Sequence, residues 1–237
     1  MIPIRDANPS GSRPVFTVAL ILANVAAFYH QIYQGEQIEQ FFAAYGLVPA
    51  RVMEALQQPG ANLLYVLVVP LFASMFLHGG WLHLLSNMWY LWLFGDNVED
   101  RLGHLRFVGF YLACGVVAAA THIALHPTSP VPMVGASGAI AGVLGAYMMC
   151  FPMARILTLV PILFFIQLIR LPAFVVLFFW FFLQFFSGVM SISAETAGGV
   201  AWWAHVGGFL AGVFLIRLLP RCGRSRQRHY QTRFDKE

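Results

Sequence analysis

Hydropathy along the chain rises and falls in long blocks. The first unbroken apolar run, Val15–Ile32, is long enough for a membrane-crossing helix, which takes about 20 residues. Further runs predict spans at roughly 81–97, 105–125, 134–153, 171–189 and 199–218, six in all. Residues 33–78 are mixed. Glu36, Glu39, Arg51, Glu54 and Pro70 interrupt any clean span there, so this segment reads as a structured outer loop. Within it, residues 63–77 are apolar, but Pro70 breaks them. So short a run is interfacial or re-entrant, and it is placed partly in the membrane. Residues 156–170, with Pro161, read as a surface or partly embedded connection rather than a seventh helix.

Composition agrees with lipid as the solvent. The chain is 59% hydrophobic and only 10% charged, with a mean hydropathy of +0.70, whereas a soluble domain is about a quarter charged. So few charges cannot cover a water-facing surface. The expected organisation is a tail at 1–14, one six-helix membrane domain at 15–218, and a basic tail at 219–237. Basic residues favour the cytoplasmic side. With the amino terminus inside, the inner segments hold Arg5, Arg13, Arg101, Arg106, Arg155, Arg170 and the basic tail from Arg217 to Lys236, and only Arg51 falls outside. Both termini are then cytoplasmic, and a short chain with minimal tails suggests a bacterial inner membrane. The basic tail fixes topology or meets anionic lipid, and no nucleic-acid partner is expected. Cys114, Cys150 and Cys222 are too scattered for a disulfide framework or a CxxC metal site. No small-residue cleavage site follows the first run, so no signal peptide is read there.

Hydrogen-bonding side chains inside a span cost free energy and usually face the bundle interior or a wet cavity. Three groups stand out: His83 with Asn87, four apart and so on one helix face; Ser137 in Gly135-Ala136-Ser137-Gly138; and His205 in Ala204-His205-Val206-Gly207-Gly208. Counted from the outer face at ~1.5 Å per residue, all lie within roughly 10 Å of one surface. A pocket opening outward accounts for that agreement. Gly138, Gly142, Gly145, Gly208 and Gly212 make the fourth and sixth helices small-faced, so that they can pack closely and bring Ser137 and His205 together. A neutral imidazole within hydrogen-bond reach can take the serine proton. The unpaired N–H groups at a helix start can bind an oxyanion, with His83 and Asn87 adding donors. No Asp or Glu lies in the last three spans and Glu195 sits in a loop, so a Ser-His dyad fits better than a triad. Something else must orient His205.

Gly135-Ala136-Ser137-Gly138, Ala204-His205 with its glycines, and His78-Gly79-Gly80-Trp81-Leu82-His83 leading to Asn87 resemble the rhomboid intramembrane proteases in order, spacing and membrane side. The resemblance implies a six-helix, all-α rhomboid core in which Ser137 attacks and His205 is the base. It further implies that His83, Asn87 and the Ser137 N–H stabilise the oxyanion, and that single-pass or polytopic transmembrane proteins are the substrates. Glu99 and Gly103 match a structural motif of the family. Two departures stand out. Residues 65–70 (YVLVVP) lack the Trp-Arg pair many relatives carry in the first outer loop, and Ala141 stands where an aromatic often sits under the histidine ring. Trp202, Trp203 or a phenylalanine can substitute in steadying His205.

A lone serine or histidine in a span is more often a packing residue than a catalyst, and the glycines serve packing even within a protease. His78 reads as a loop residue holding the outer segment. No metal or other cofactor is expected, because no His, Cys or carboxylate cluster stands at ligand spacing. The competing classes are a silent rhomboid-like protein that binds clients uncut and a small-solute transporter. The first should lack Ser137 or His205, and the second should show internal repeats.

Overall fold

The first predicted span forms as read: α1 runs Val15–Ile32 in a computed structural model that describes residues 1–162, 165–193 and 200–220. Its start is fixed from a distance. The fully buried Glu99 carboxylate accepts the backbone N–H groups of Phe16 at 2.9 Å and Thr17 at 2.8 Å, and the Thr17 hydroxyl at 2.7 Å. The first turn of a helix leaves N–H groups unpaired and slightly positive, so the carboxylate and the helix end satisfy one another. His104 Nδ1 lies 2.5 Å from the same carboxylate. Gly103, at φ +81°, turns the chain there and donates its N–H to the Glu99 carbonyl at 2.7 Å. Both residues of that motif therefore hold structure.

Residues 33–80 fold into α2 (Ile38–Tyr45), α3 (Pro49–Gln57), a π-helical turn at Leu64–Val68, α4 (Val69–Ala73) and a 3₁₀ turn at Ser74–Phe76. Leu64–Phe76 meets the next helix, α5 (Trp81–Leu102), at 80°, the geometry of a broken span or a re-entrant loop. This agrees with partial embedding. Lacking the Trp-Arg pair, the loop is held by other means. Leu47 and Met133 exchange backbone hydrogen bonds at 3.1 and 2.8 Å, and buried Leu47 and Val52 pack with Ala119. His78 clamps the far end: its N–H donates to Gln31 Oε1 at 3.0 Å and its carbonyl accepts from Gln31 Nε2 at 2.5 Å.

The remaining helices are α6 (His104–Leu125), α7 (Ser137–Cys150), α8 (Ala173–Ser193) and α9 (Trp202–Leu218). By length and composition three helices among the described residues can cross a membrane, or four if the bent pair is one span, while α7 and α9 are shorter apolar helices. Six full spans is thus more than length and hydropathy support. The reason is visible in α7, where every residue from Gly138 to Tyr147 is buried. At ~1.5 Å per residue its 14 residues reach only about 21 Å, short of a ~30 Å hydrocarbon core. A central helix needs no such reach, because α5, α6, α8 and α9 pack around it.

The all-α expectation needs correction. Residues 156–170 are no loose connection: β2 (Arg155–Ile162) and β3 (Phe165–Pro172) form an antiparallel hairpin, and β1 (Ile2–Asp6) adds to it in the order β1-β2-β3. Residues 1–14 are therefore built into the body rather than trailing from it. Alternate residues Ile156, Thr158 and Val160 are buried and β3 is largely exposed, as one face of a sheet against a bundle requires. Arg5, Arg155 and Arg170 sit on this sheet and Arg101 and Arg106 flank Gly103, all toward the end of the bundle away from Ser137. Cys222, Glu195, His229 and the basic residues from Arg221 to Lys236 lie outside the described residues.

Asp6 fastens this sheet. Its carboxylate accepts the Tyr147 hydroxyl at 2.6 Å, Asn97 Nδ2 at 3.2 Å and the Asn8 N–H at 2.9 Å. Burial outweighs those bonds and pushes its pKa up from 3.8 to about 6. Because the folded value lies above the unfolded one, its stabilisation is complete below about pH 3.8 and is lost as pH rises through about 6. Asp6→Asn, which keeps an acceptor for Tyr147, is expected to unfold at nearly the wild-type temperature near pH 4. Near pH 7.5 it should be more stable, by on the order of 2–3 kcal/mol. A difference between the two that stays flat over that range in detergent melts rejects the assignment.

Candidate active site

The starts of α5, α7 and α9 meet at one end of the bundle, and the polar groups singled out from sequence meet with them. Glycine at the crossing points makes this possible. A Cβ on Gly208 would strike the carbonyl oxygen of Gly138, and one on Gly212 that of Gly142, so α7 and α9 touch backbone to backbone. Gly138 likewise lies against α6, where an added Cβ would come 2.7 Å from that of Ala118. The contact places Ser137 Oγ 2.7 Å from His205 Nε2. His205 is 8% exposed, while Ser137 is half-buried and opens on a small cavity lined by Ser74, Gly115, Ala118, Gly138 and Ala204.

Gly135, at φ +130°, carries the chain into α7 and donates its N–H to the Ser74 carbonyl at 2.8 Å. Its missing side chain leaves room for His83. A Cβ there would lie 2.9 Å from His83 Nε2 and 3.5 Å from Ser137 Oγ, which puts the imidazole beside the serine. The Gly79 N–H donates to His83 Nδ1 at 3.3 Å, so the ring proton is on Nε2, facing Gly135. Asn87, one turn on, is 6% exposed, and its Nδ2 is buried without a hydrogen-bond partner among the described residues. A buried amide donor left unpaired costs free energy and needs a reason. Ala136, the residue before α7, has no side chain to cap the helix, so the first-turn N–H groups gain no side-chain acceptor there. His83 thus lies beside the serine, Asn87 one helical turn further along α5, and the uncapped first turn of α7 at the serine itself.

The setting of His205 differs from expectation. Trp202 meets the ring edge-on at 6.3 Å between centroids, but Trp203 packs on Phe185 instead. Two residues of α8 were not anticipated. The Trp180 ring lies 5.9 Å away, tilted by 38°, and Gln184 Oε1 lies 2.7 Å from His205 Nδ1, with Gln184 itself 8% exposed. The signal for Gln184 was present: it is the lone amide in the apolar run AFVVLFFWFFLQFF of α8, the same mark of polarity in a span that picks out Ser137 and His205. Among the described residues no group of three or more His, Cys, Asp or Glu is placed to hold a metal ion.

Relatives carry names consistent with this site. The mouse mitochondrial presenilin-associated rhomboid-like protein is 32% identical over 162 residues, covering 64% of this chain and 38% of that protein. From Bacillus subtilis, the rhomboid protease GluP is 47% identical over 70 residues (30% of this chain, 13% of GluP). The putative rhomboid protease YdcA of the same bacterium is 38% identical over 80 (33% and 39%). The chain thus spans less than two fifths of the length of the mitochondrial relative. The expectation of a bacterial inner membrane gains no support, since the longer alignments are with mitochondrial proteins. The sequence model of the Rhomboid domain matches residues 67–222, well over half of the chain and all four of the site residues expected from sequence, and the protein belongs to that family.

Proposed function

We propose that this chain is an intramembrane serine endopeptidase that cleaves peptide bonds of transmembrane proteins. The observation that carries this reading is the 2.7 Å contact of Ser137 Oγ with His205 Nε2, with the His83 imidazole beside it. In the proposed reaction His205 Nε2 takes the hydroxyl proton as Ser137 Oγ attacks the carbonyl carbon. The oxyanion is met by His83 Nε2–H, Asn87 Nδ2–H and the backbone N–H groups at the start of α7. The proton then passes to the leaving amine. Hydrolysis of the acyl-enzyme needs one water, and the cavity beside Ser137, about 20 Å³, is large enough for one.

The orphaned Nδ2 of Asn87 fits this role, because a donor kept unpaired in the resting protein is free for charge that develops in the transition state. The short α7 and α9 would cross as inner members of the bundle, with the basic residues of the sheet end on the cytoplasmic side. A membrane-anchored reporter with a cleavable helix, reconstituted with the purified protein, tests the activity. A serine-directed fluorophosphonate should label Ser137 in the same sample. Asn87→Ala is expected to lower kcat by roughly 10²–10³ while leaving the melting temperature near wild type, the cost of one oxyanion donor in soluble serine proteases. Full turnover by that variant removes Asn87 from the oxyanion site.

A further inference from the structure

We propose that Gln184 is the positioning residue of this site, fixing the tautomer and orientation of His205 through its amide oxygen. The proposal rests on the endopeptidase reading for its kinetics but not for its geometry.

For Nε2 to accept the serine proton it must carry a lone pair, so the neutral ring must carry its hydrogen on Nδ1. That N–H is buried and needs an acceptor. The rings around it supply none: Trp180 and Trp202 offer faces, edges and an N–H donor, but no oxygen. Gln184 Oε1, 2.7 Å from Nδ1, is the acceptor, and it comes from α8 while the histidine rides on α9 and the serine on α7. During attack the serine proton moves to Nε2, the Nδ1 proton stays on its ring in the hydrogen bond to Gln184, and the Nε2 proton then leaves with the amine. The amide neither gains nor loses a proton, and its carbonyl dipole faces the imidazolium while it exists.

An amide suits this depth better than the carboxylate of a soluble triad. A carboxylate buried among apolar side chains carries a desolvation cost of several kcal/mol unless fully paired, and the resting imidazole is neutral and cannot pair it. The described parts of α7, α8 and α9 contain no Asp or Glu. Gln184 holds the ring without bringing a charge. The aromatic expected one turn after the serine is absent, with Ala141 fully buried there, and Trp180 is the ring tilted against His205 instead.

The test uses the full chain in nanodiscs with ¹⁵N-labelled histidine, the His205 resonances being those missing from His205→Ala. Wild type should show the Nδ1–H tautomer at His205, and an Nε2–H tautomer there overturns the proposal without any variant. Gln184→Met, of similar shape but without the oxygen, should mix the tautomers and lower kcat by roughly 10–10² with KM changed less than about twofold. Gln184→Glu, which returns an acceptor oxygen but carries the desolvation cost of a buried carboxyl, should recover part of that loss and restore the Nδ1–H tautomer. Wild-type kcat together with an unmixed tautomer in Gln184→Met overturns the proposal. Absence of cleavage by folded wild type would count against the protease reading, while the tautomer measurement would still decide the role of Gln184.

Discussion

Ser137→Ala and His205→Ala should each abolish cleavage of a membrane-anchored reporter, with kcat falling by roughly 10⁴–10⁶, the range seen when soluble serine proteases lose either member of the pair. The two losses should not add, because the hydroxyl and the imidazole act as one unit through their 2.7 Å contact. The double variant should match the single ones. Fluorophosphonate labelling should vanish in Ser137→Ala and fall steeply in His205→Ala. Neither change should cost much stability: Ser137 is half-buried beside a cavity, and the truncated His205 leaves a neutral amide rather than a stranded charge. Melting curves in detergent serve as the control. Turnover or labelling that persists in folded Ser137→Ala would mean that another nucleophile does the work.

Gly212→Ala should be nearly as damaging for a different reason. The added Cβ would collide with the carbonyl oxygen of Gly142 and lie 2.6 Å from its carbonyl carbon and 2.7 Å from its Cα, all main-chain atoms that no rotamer can move aside. α7 and α9 must then separate, at a cost of roughly 1–3 kcal/mol or more for overpacking a tight crossing. Because Ser137 rides on one of these helices and His205 on the other, a shift of about 1 Å should cost roughly 10² in turnover besides. Gly109→Ala in α6 is the matched control. No described residue stands within 4 Å of a Cβ there, and alanine is the better helix former by about 1 kcal/mol. A Gly212→Ala protein that melts and cleaves like Gly109→Ala would show that the helices do not touch as described.

Local polarity made most of the candidate site legible and distance in sequence hid the rest. Ser137, His205, His83 and Asn87 announce themselves because hydrogen-bonding groups are conspicuous in apolar runs. Gln184 was equally conspicuous but had no motif beside it. α1 was readable to the residue, since its ends coincide with a change in hydropathy. The apolar run of α5 gives way near residue 97 to Asn97, Glu99 and Asp100, so hydropathy alone ends the span there. It continues to Leu102 because partners from the amino-terminal segment satisfy those groups: Asn8 for Asn97, Phe16 and Thr17 for Glu99, and the Gly11 N–H for Asp100. The three-stranded sheet was invisible for the same reason. Residues 156–170 are apolar enough to pass for a surface or partly embedded connection, and the strand that completes the sheet lies about 150 residues earlier in the chain.

That pairing constrains how the polypeptide assembles during translation. Ile2 leaves the ribosome well ahead of its register partner, Leu159, which emerges more than 150 residues later. The leading strand must wait, unpaired, while several helices enter the bilayer ahead of its mate. Contacts this remote in sequence close slowly and late. Ribosome-bound chains cut short before the hairpin should therefore expose β1 to protease, and chains that include the hairpin should shield it.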